Sequence, residues 1–251
     1  IEYADCGSLE SIIERAYSNQ FNSDDQNCQN PDPQNINIKL PISFIRPIFI
    51  QILHALQSLH EKGIIHQDIK PSNILIKSEG LALLSDFGLG HSFQSADMVV
   101  GSPAYQAPEA YIDYDDVEYD DPSKEDVWSL GITLYETLFG YLPYTGENVY
   151  GIMANIKSTP LIIPDCSPEI KDLLTKMLSV NPQHRFNITQ TLEHPFFANK
   201  SSTFDPMRFK IKTSKEPDPD AQIVEVKAEL KKDNFSFLQN NSVMTLPLRK
   251  K

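Results

Sequence analysis

The apolar positions of this chain fall into a few dense periodic segments separated by polar stretches. The clearest segment runs from Ser43 to Glu61. There Ile45, Ile48, Phe49, Ile52, Leu53, Leu56 and Leu59 recur at three- and four-residue steps, which puts a broad apolar stripe on one helix. Pro47 fits such a helix only near its first turn, and Gly63 supplies a left-handed stop just beyond it. A shorter helix is predicted over Leu9–Tyr17, with Ser8 as its cap and Ser11 and Glu14 facing water. Glu125 opens an apolar helix that ends near Gly140 and carries Trp128 as a core residue. Glu169–Leu178 and Ile188–Leu192 predict two closing helices. Ile74–Lys77 and Leu81–Leu84 flank Ser78-Glu79-Gly80 and predict a hairpin. The expected fold is mainly α with small β hairpins.

Two stretches break this pattern. Residues 18–41 are rich in Asn, Gln, Asp and Pro and poor in large apolar groups until Ile36. Such a composition cannot bury enough surface to fold alone, so a disordered low-complexity insertion between two helices is expected. After Lys200 the periodicity dissolves. Pro217-Asp218-Pro219 marks a linker, and Ile223–Leu230 is compatible with a brief strand or helix. Residues 198–251 therefore read as a flexible C-terminal tail.

Charge divides the chain in the same place. The 251 residues carry a net charge of −12, from 22 basic and 34 acidic side chains. Residues 200–251 hold 11 Lys/Arg against 7 Asp/Glu and so carry +4, leaving −16 on the rest. An acidic body argues against nucleic-acid partners and suits basic peptide segments. The six acidic residues between Asp113 and Asp121 read as a solvated loop or a docking patch for such peptides. No run of eighteen apolar residues suggests a membrane span. Cys6, Cys28 and Cys166 are widely spaced, match no zinc pattern and read as free thiols. A cytoplasmic location is expected, with a nuclear one as the second choice. His54 and His60 are read as partners in local hydrogen bonds rather than metal ligands.

The candidate chemistry is concentrated in His66-Gln67-Asp68-Ile69-Lys70-Pro71-Ser72-Asn73, followed by Asp86-Phe87-Gly88. One short loop carries a carboxylate, an ammonium and a carboxamide, and the predicted hairpin returns a second carboxylate beside them. Asn73 and Asp86 are hard oxygen donors of the kind Mg²⁺ takes alongside phosphate oxygens. Asp68 can orient a hydroxyl and accept its proton, and Lys70 can neutralise a phosphoryl group in transfer.

This wording, H-x-D-x-K-x-x-N and then D-F-G, resembles the catalytic and magnesium loops of the protein kinase family. The resemblance implies a Mg²⁺·ATP-dependent transfer of the γ-phosphate to a protein hydroxyl. It gives Asp68, Lys70 and Asn73 catalytic roles and makes Asn73 and Asp86 the metal ligands. Ile1-Glu2-Tyr3-Ala4-Asp5-Cys6-Gly7 looks like the family's hinge, so Glu2 and Ala4 would pair with adenine through their backbone, over Leu75 as a floor. Lys70 and Gly101-Ser102-Pro103-Ala104-Tyr105 resemble the serine/threonine branch, in which Ser102 would bond Asp68 and Lys70. Ala107-Pro108-Glu109 and Arg185 match the buried ion pair that closes the activation segment, and Asp126 matches an Asp that bonds the catalytic loop's backbone.

The resemblance covers residues 1–197, as hinge and large lobe. No G-x-G-x-x-G occurs in the chain, so the kinase-like C-terminal lobe is expected without its N-terminal lobe, as a fragment with weak or no activity alone. The rival expectation is a kinase-like binding or scaffold module that transfers no phosphate. Gln67 departs from the family's usual Arg before the catalytic Asp. A neutral amide cannot form a charge-assisted pair with an activation-loop phosphate. Phosphorylation between Leu89 and Val100, where Ser92 and Ser95 lie, is therefore not expected to be the main switch. Gly140–Tyr150 and Ile162–Pro168 resemble the liver kinase B and calmodulin-kinase-kinase groups. That resemblance implies an activating pseudokinase and scaffold as partners.

Overall fold

The computed structural model describes residues 4, 6–18, 37–78, 80–86, 91–92, 102–111, 121–198 and 224–225. In chain order these form α1 (Leu9–Tyr17), α2 (Ile42–His60), β1 (Ile64–Ile65), β2 (Ile74–Ile76), β3 (Ala82–Leu84) and β4 (His91–Ser92). Then come α3 (Lys124–Phe139), α4 (Val149–Ser158), α5 (Pro168–Met177), α6 (Ile188–Glu193), α7 (Pro195–Ala198) and β5 (Val224–Glu225). The predicted helices and hairpin are present. The N-terminal hinge residues Glu2 and Tyr3, most of the insertion, Phe87 and Gly88, and the acidic run before Asp121 lie outside the described residues.

α1 starts where Ser8 Oγ accepts the Ser11 amide at 3.3 Å, the cap its position predicts. It buries Leu9, Ile12, Ile13 and Tyr17. α2 buries Phe44, Ile45, Ile48, Phe49, Ile52, Leu53, Leu56 and Leu59 in the main core. Its length and composition would also let it cross a membrane, but 67% of its most apolar window is buried inside the fold, as in a core helix. Pro47 sits at the sixth position of α2, a turn deeper than expected. Missing its own amide hydrogen, it still offers a carbonyl, which accepts from Gln51 Nε2 at 3.1 Å. Gly63 turns the chain after α2 with φ 71°.

α3 is the central post. Val127, Leu130, Leu134, Tyr135 and Leu138 face the main core. Trp128 and Ile132 face a second cluster with Ala107, Tyr144, Ile152, Met153, Ile156 and Leu178. A helix apolar on both faces must be buried on both. Gly131 lets α5 approach, because a Cβ there would lie 2.9 Å from Leu178 Cδ2. Gly140 ends α3 with φ 82°, and a Cβ there would strike the Tyr17 ring.

The antiparallel hairpin pairs Ile74 with Leu84, Leu75 with Leu83 and Ile76 with Ala82. Gln51 bolts it to α2. Its Nε2 donates to the Gly80 carbonyl at 3.0 Å and its Oε1 accepts the Ala82 amide at 3.1 Å. β1 pairs with β4, and β5 pairs with β3.

The Glu109–Arg185 pair forms as the family resemblance implied. Arg185 Nη2 donates to Glu109 Oε2 at 2.9 Å, and Nη1 donates to Oε1 and to the Lys124 carbonyl. The guanidinium lies 4.9 Å from the centre of the Trp128 ring. Both partners are almost fully buried. Replacing Arg185 with Met leaves the Glu109 carboxylate buried and uncompensated. Unfolding free energy from urea titration is expected to fall by about 3–5 kcal/mol. A loss below about 1 kcal/mol, the scale of a surface pair, would contradict this placement.

Candidate active site

The loop between β1 and β2 is positioned by one buried carboxylate from α3. Asp126 Oδ2 accepts the His66 amide at 2.9 Å and Oδ1 accepts the Gln67 amide at 2.9 Å. His60 Nε2 sits 2.7 Å from Oδ2, so its partner is 66 residues away rather than local. The two backbone bonds hold Gln67 at φ 65°, a left-handed conformation that strains a non-glycine residue by roughly 1–3 kcal/mol. The bend aims Asp68 out of the loop.

Asp68 is the most densely bonded of the predicted residues. Lys70 Nζ lies 2.8 Å from Oδ2, Asn73 Nδ2 donates to Oδ2 at 2.9 Å, and the Ser102 amide donates to Oδ1 at 3.1 Å. Lys70 Nζ also donates to Ser102 Oγ at 2.7 Å. The contacts expected of Ser102 are therefore present, with its backbone rather than its hydroxyl facing Asp68. Burial alone would push the Asp68 carboxyl up, but the bonds from Lys70, Asn73 and Ser102 outweigh it and hold it below the usual carboxylate range. Asp68 thus stays ionised at neutral pH.

Asn73 Nδ2 gives its second hydrogen to the Asp68 carbonyl at 2.8 Å. With both amide hydrogens committed, its side-chain oxygen Oδ1 is the atom that can ligate a cation. The hairpin then brings back the next predicted residue. The Ser85 amide and hydroxyl donate to the Asn73 carbonyl at 2.9 and 3.2 Å. Asp86 follows directly, exposed and at φ 61°, a region Asp tolerates better than most residues. Among the described residues no group of three or more His, Cys, Asp or Glu gathers to cage a metal. One amide oxygen and one exposed carboxylate instead suit Mg²⁺, which takes few protein ligands and fills its shell with phosphate oxygens and water.

The hinge side joins the same region. The Cys6 amide donates to the Ile76 carbonyl at 3.1 Å, and the Ile76 amide to the Gly7 carbonyl at 2.9 Å. Ser8 bridges Leu75. Ala4 and Leu75 are thereby brought to one edge despite their separation in sequence. The Ala4 carbonyl accepts the Gly7 amide at 3.1 Å, so the Ala4 N–H is the better placed group for adenine. Glu2 lies outside the described residues.

Three supports escaped the sequence reading. Gln51 clamps the hairpin, and its only signal is a polar residue inside an apolar run. His60 completes the Asp126 cluster. Tyr105 donates to Glu136 Oε2 at 2.7 Å, which ties the Ser102 segment to α3, and burial raises the carboxyl of Glu136. Gln67 is a different case. Its side chain is 8% exposed, and its Oε1 is buried with no hydrogen-bond partner.

The protein kinase domain model matches residues 1–197 of this chain. The chain belongs to the protein kinase family. It is 37% identical over 174 residues to the serine/threonine-protein kinase stk11 of Xenopus laevis, covering 66% of this chain and 40% of that one. It is 37% identical over 169 residues to human STK11, covering 64% and 38%. It is 33% identical over 178 residues to mouse sperm motility kinase 3A, covering 69% and 34%. The chain spans about two fifths of the length of the STK11 relatives. STK11 is LKB1, of the liver kinase B group that Gly140–Tyr150 and Ile162–Pro168 resemble.

Acid should loosen this site in two stages. Burial depresses the His66 imidazole below its usual 6.5, although Asp126 and Ser85 oppose the shift. Asp126 is pulled below its usual 3.8 because its bonds with His60 and His66 outweigh burial. Both folded-state values lie below the unfolded ones, so each contribution is complete above the unfolded value and lost as pH falls. The melting temperature is expected to drop first as pH passes below about 6.5 and again below about 4. A melting temperature constant from pH 7 to pH 5 would remove His66 from this account.

Proposed function

We propose that this chain is the catalytic lobe of a serine/threonine protein kinase that moves the γ-phosphate of ATP to a protein hydroxyl. The observation that carries this reading is the convergence of Lys70, Asn73 and the Ser102 amide on the Asp68 carboxylate. Such an arrangement fixes an ionised acceptor at the place where an alcohol must be oriented.

Asp68 receives the substrate hydroxyl as a hydrogen-bond donor and takes its proton as the oxygen bonds to phosphorus. Its low basicity suits a loose transition state, in which the proton leaves late. Lys70, already bonded to Asp68 and Ser102, offers its third hydrogen to the transferring phosphoryl group. Ser102 joins both residues to the segment that shapes the acceptor pocket. The Asn73 amide oxygen and the Asp86 carboxylate would hold Mg²⁺, which supplies charge neutralisation of the nucleotide phosphates when bound. The Ala4 amide and the Glu2 backbone would hold adenine above Leu75.

The substrates fitting an acidic body of −16 are basic peptide segments. The wording of Gly140–Tyr150 and Ile162–Pro168 extends this reading to an activating pseudokinase and scaffold, in a cytoplasmic or nuclear setting. The neutral Gln67 amide fits the same view, since it offers no cation to an activation-loop phosphate. The intact set of Asp68, Lys70, Asn73 and Asp86 favours the enzyme over a kinase-like scaffold.

In the full-length protein, Asp68→Asn should lower the turnover of a peptide substrate by at least about a hundredfold while the melting temperature changes little. Asp86→Asn should do the same by weakening nucleotide binding. Turnover equal to wild type in either variant refutes the assignment. A second measurement addresses regulation. Ser95→Asp is expected to leave peptide phosphorylation nearly unchanged, and a many-fold gain would mean that activation-loop charge is the switch after all.

A further inference from the structure

Val224–Glu225 lies 26 residues beyond the last helix, yet it forms the third strand of the sheet that carries Asp86. It runs antiparallel to β3, with Leu83 opposite Glu225 and Leu84 opposite Val224, so the strand order is β2-β3-β5. Only Ser85 separates the paired Leu84 from Asp86. A two-stranded ribbon is marginal, and its free edge offers unpaired amides and carbonyls.

We propose that the tail segment around Val224–Glu225 is an intramolecular positioning strand, which closes the outer edge of β3 and so fixes Asp86 for divalent cation and nucleotide. This rests on the role proposed above for Asp86, whereas the strand pairing itself does not. On its other side β3 is held by β2 throughout its length. Ser85 is held to the catalytic loop by the Asn73 carbonyl and by His66 Nε2, 3.1 Å from the Ser85 carbonyl. Gln51 of α2 also holds β3 at the Ala82 amide; the freedom left to β3 lies at Leu83–Leu84, and β5 pairs there. Asp86 follows one residue beyond β3, at φ 61°.

The tail is suited to this edge in three ways. Ile223, Val224 and Val226 are β-branched residues in a stretch otherwise poor in large apolar groups. Residues 200–251 carry +4 against −16 on the rest, which draws the tail to the body. The 25 residues between Ala198 and Val224 can span up to roughly 85 Å, so the connection imposes no strain.

The test compares full-length wild type with a Val224→Pro, Glu225→Pro double variant, which lacks both amide donors. Hydrogen exchange over Leu81–Asp86 is measured by mass spectrometry, and ADP binding is titrated by calorimetry at increasing Mg²⁺. Exchange over Leu81–Asp86 is expected to rise about tenfold. The Mg²⁺ concentration that half-saturates ADP binding should rise several-fold, with ADP binding at saturating Mg²⁺ and the melting temperature nearly unchanged. Val224→Ile, which keeps the donor, should match wild type in all four. Unchanged exchange would show that β5 is not docked in solution. Faster exchange with unchanged Mg²⁺ dependence would show that docking does not position Asp86. Wild type that binds Mg²⁺·ADP but phosphorylates no peptide would count against the kinase activity alone, whereas wild type that binds no Mg²⁺·ADP would overturn the coupling as well.

Discussion

The structure depends on one carboxylate that never meets water. Asp126 is fully buried at the start of α3, where an isolated charge would be prohibitive. It is tolerated because each oxygen accepts a hydrogen bond from the backbone of the catalytic loop and His60 faces it as well. The dependence runs both ways. The loop supplies the donors that make the charge tolerable, and the charge holds the loop in a backbone conformation that Gln67 would not adopt by preference. α3, packed on both faces, is rigid enough to serve as the foundation.

Three aspartates thereby acquire three characters from their surroundings. Asp126, sealed and saturated with donors, is a fastener. Asp68, partly open and stabilised by an ammonium, an amide and a backbone N–H, keeps its charge while presenting an oxygen to a visitor. Asp86, exposed at a left-handed φ, is the least constrained, which would suit the cation-binding role proposed for it. The residue type alone cannot assign such roles. Depth and the number of donors can.

Legibility in the sequence followed the range of the interaction. Helices with a one-sided stripe, such as α1 and α2, could be read from spacing because their pattern is local. The Ser8 cap and the hairpin were legible for the same reason. The candidate site residues stood out because His66 to Asn73 and Asp86 lie close together in wording similar to a known family. Pairings across the chain were not. Nothing near His60 points to Asp126, and nothing near Gln51 points to Gly80 and Ala82. Pro47 was expected a turn earlier, on the rule that proline avoids helix interiors, but α2 is held by its packing and tolerates one missing bond. Ile223–Leu230 could be seen as compatible with a brief strand or helix, while the sheet edge that would select the strand could be seen only in three dimensions.

Tyr17 gives the stretch between α1 and α2 an unusual freedom. Its hydroxyl donates to the Leu138 carbonyl and accepts the Lys39 amide, so one buried phenol anchors both ends of that stretch to the same point of α3. Closure is settled before the intervening residues are counted, and each doubling of their number adds only about 0.6 kcal/mol of chain entropy. Evolution is free to lengthen, shorten or rewrite this segment, and an experimenter could splice a reporter domain there without disturbing the machinery below.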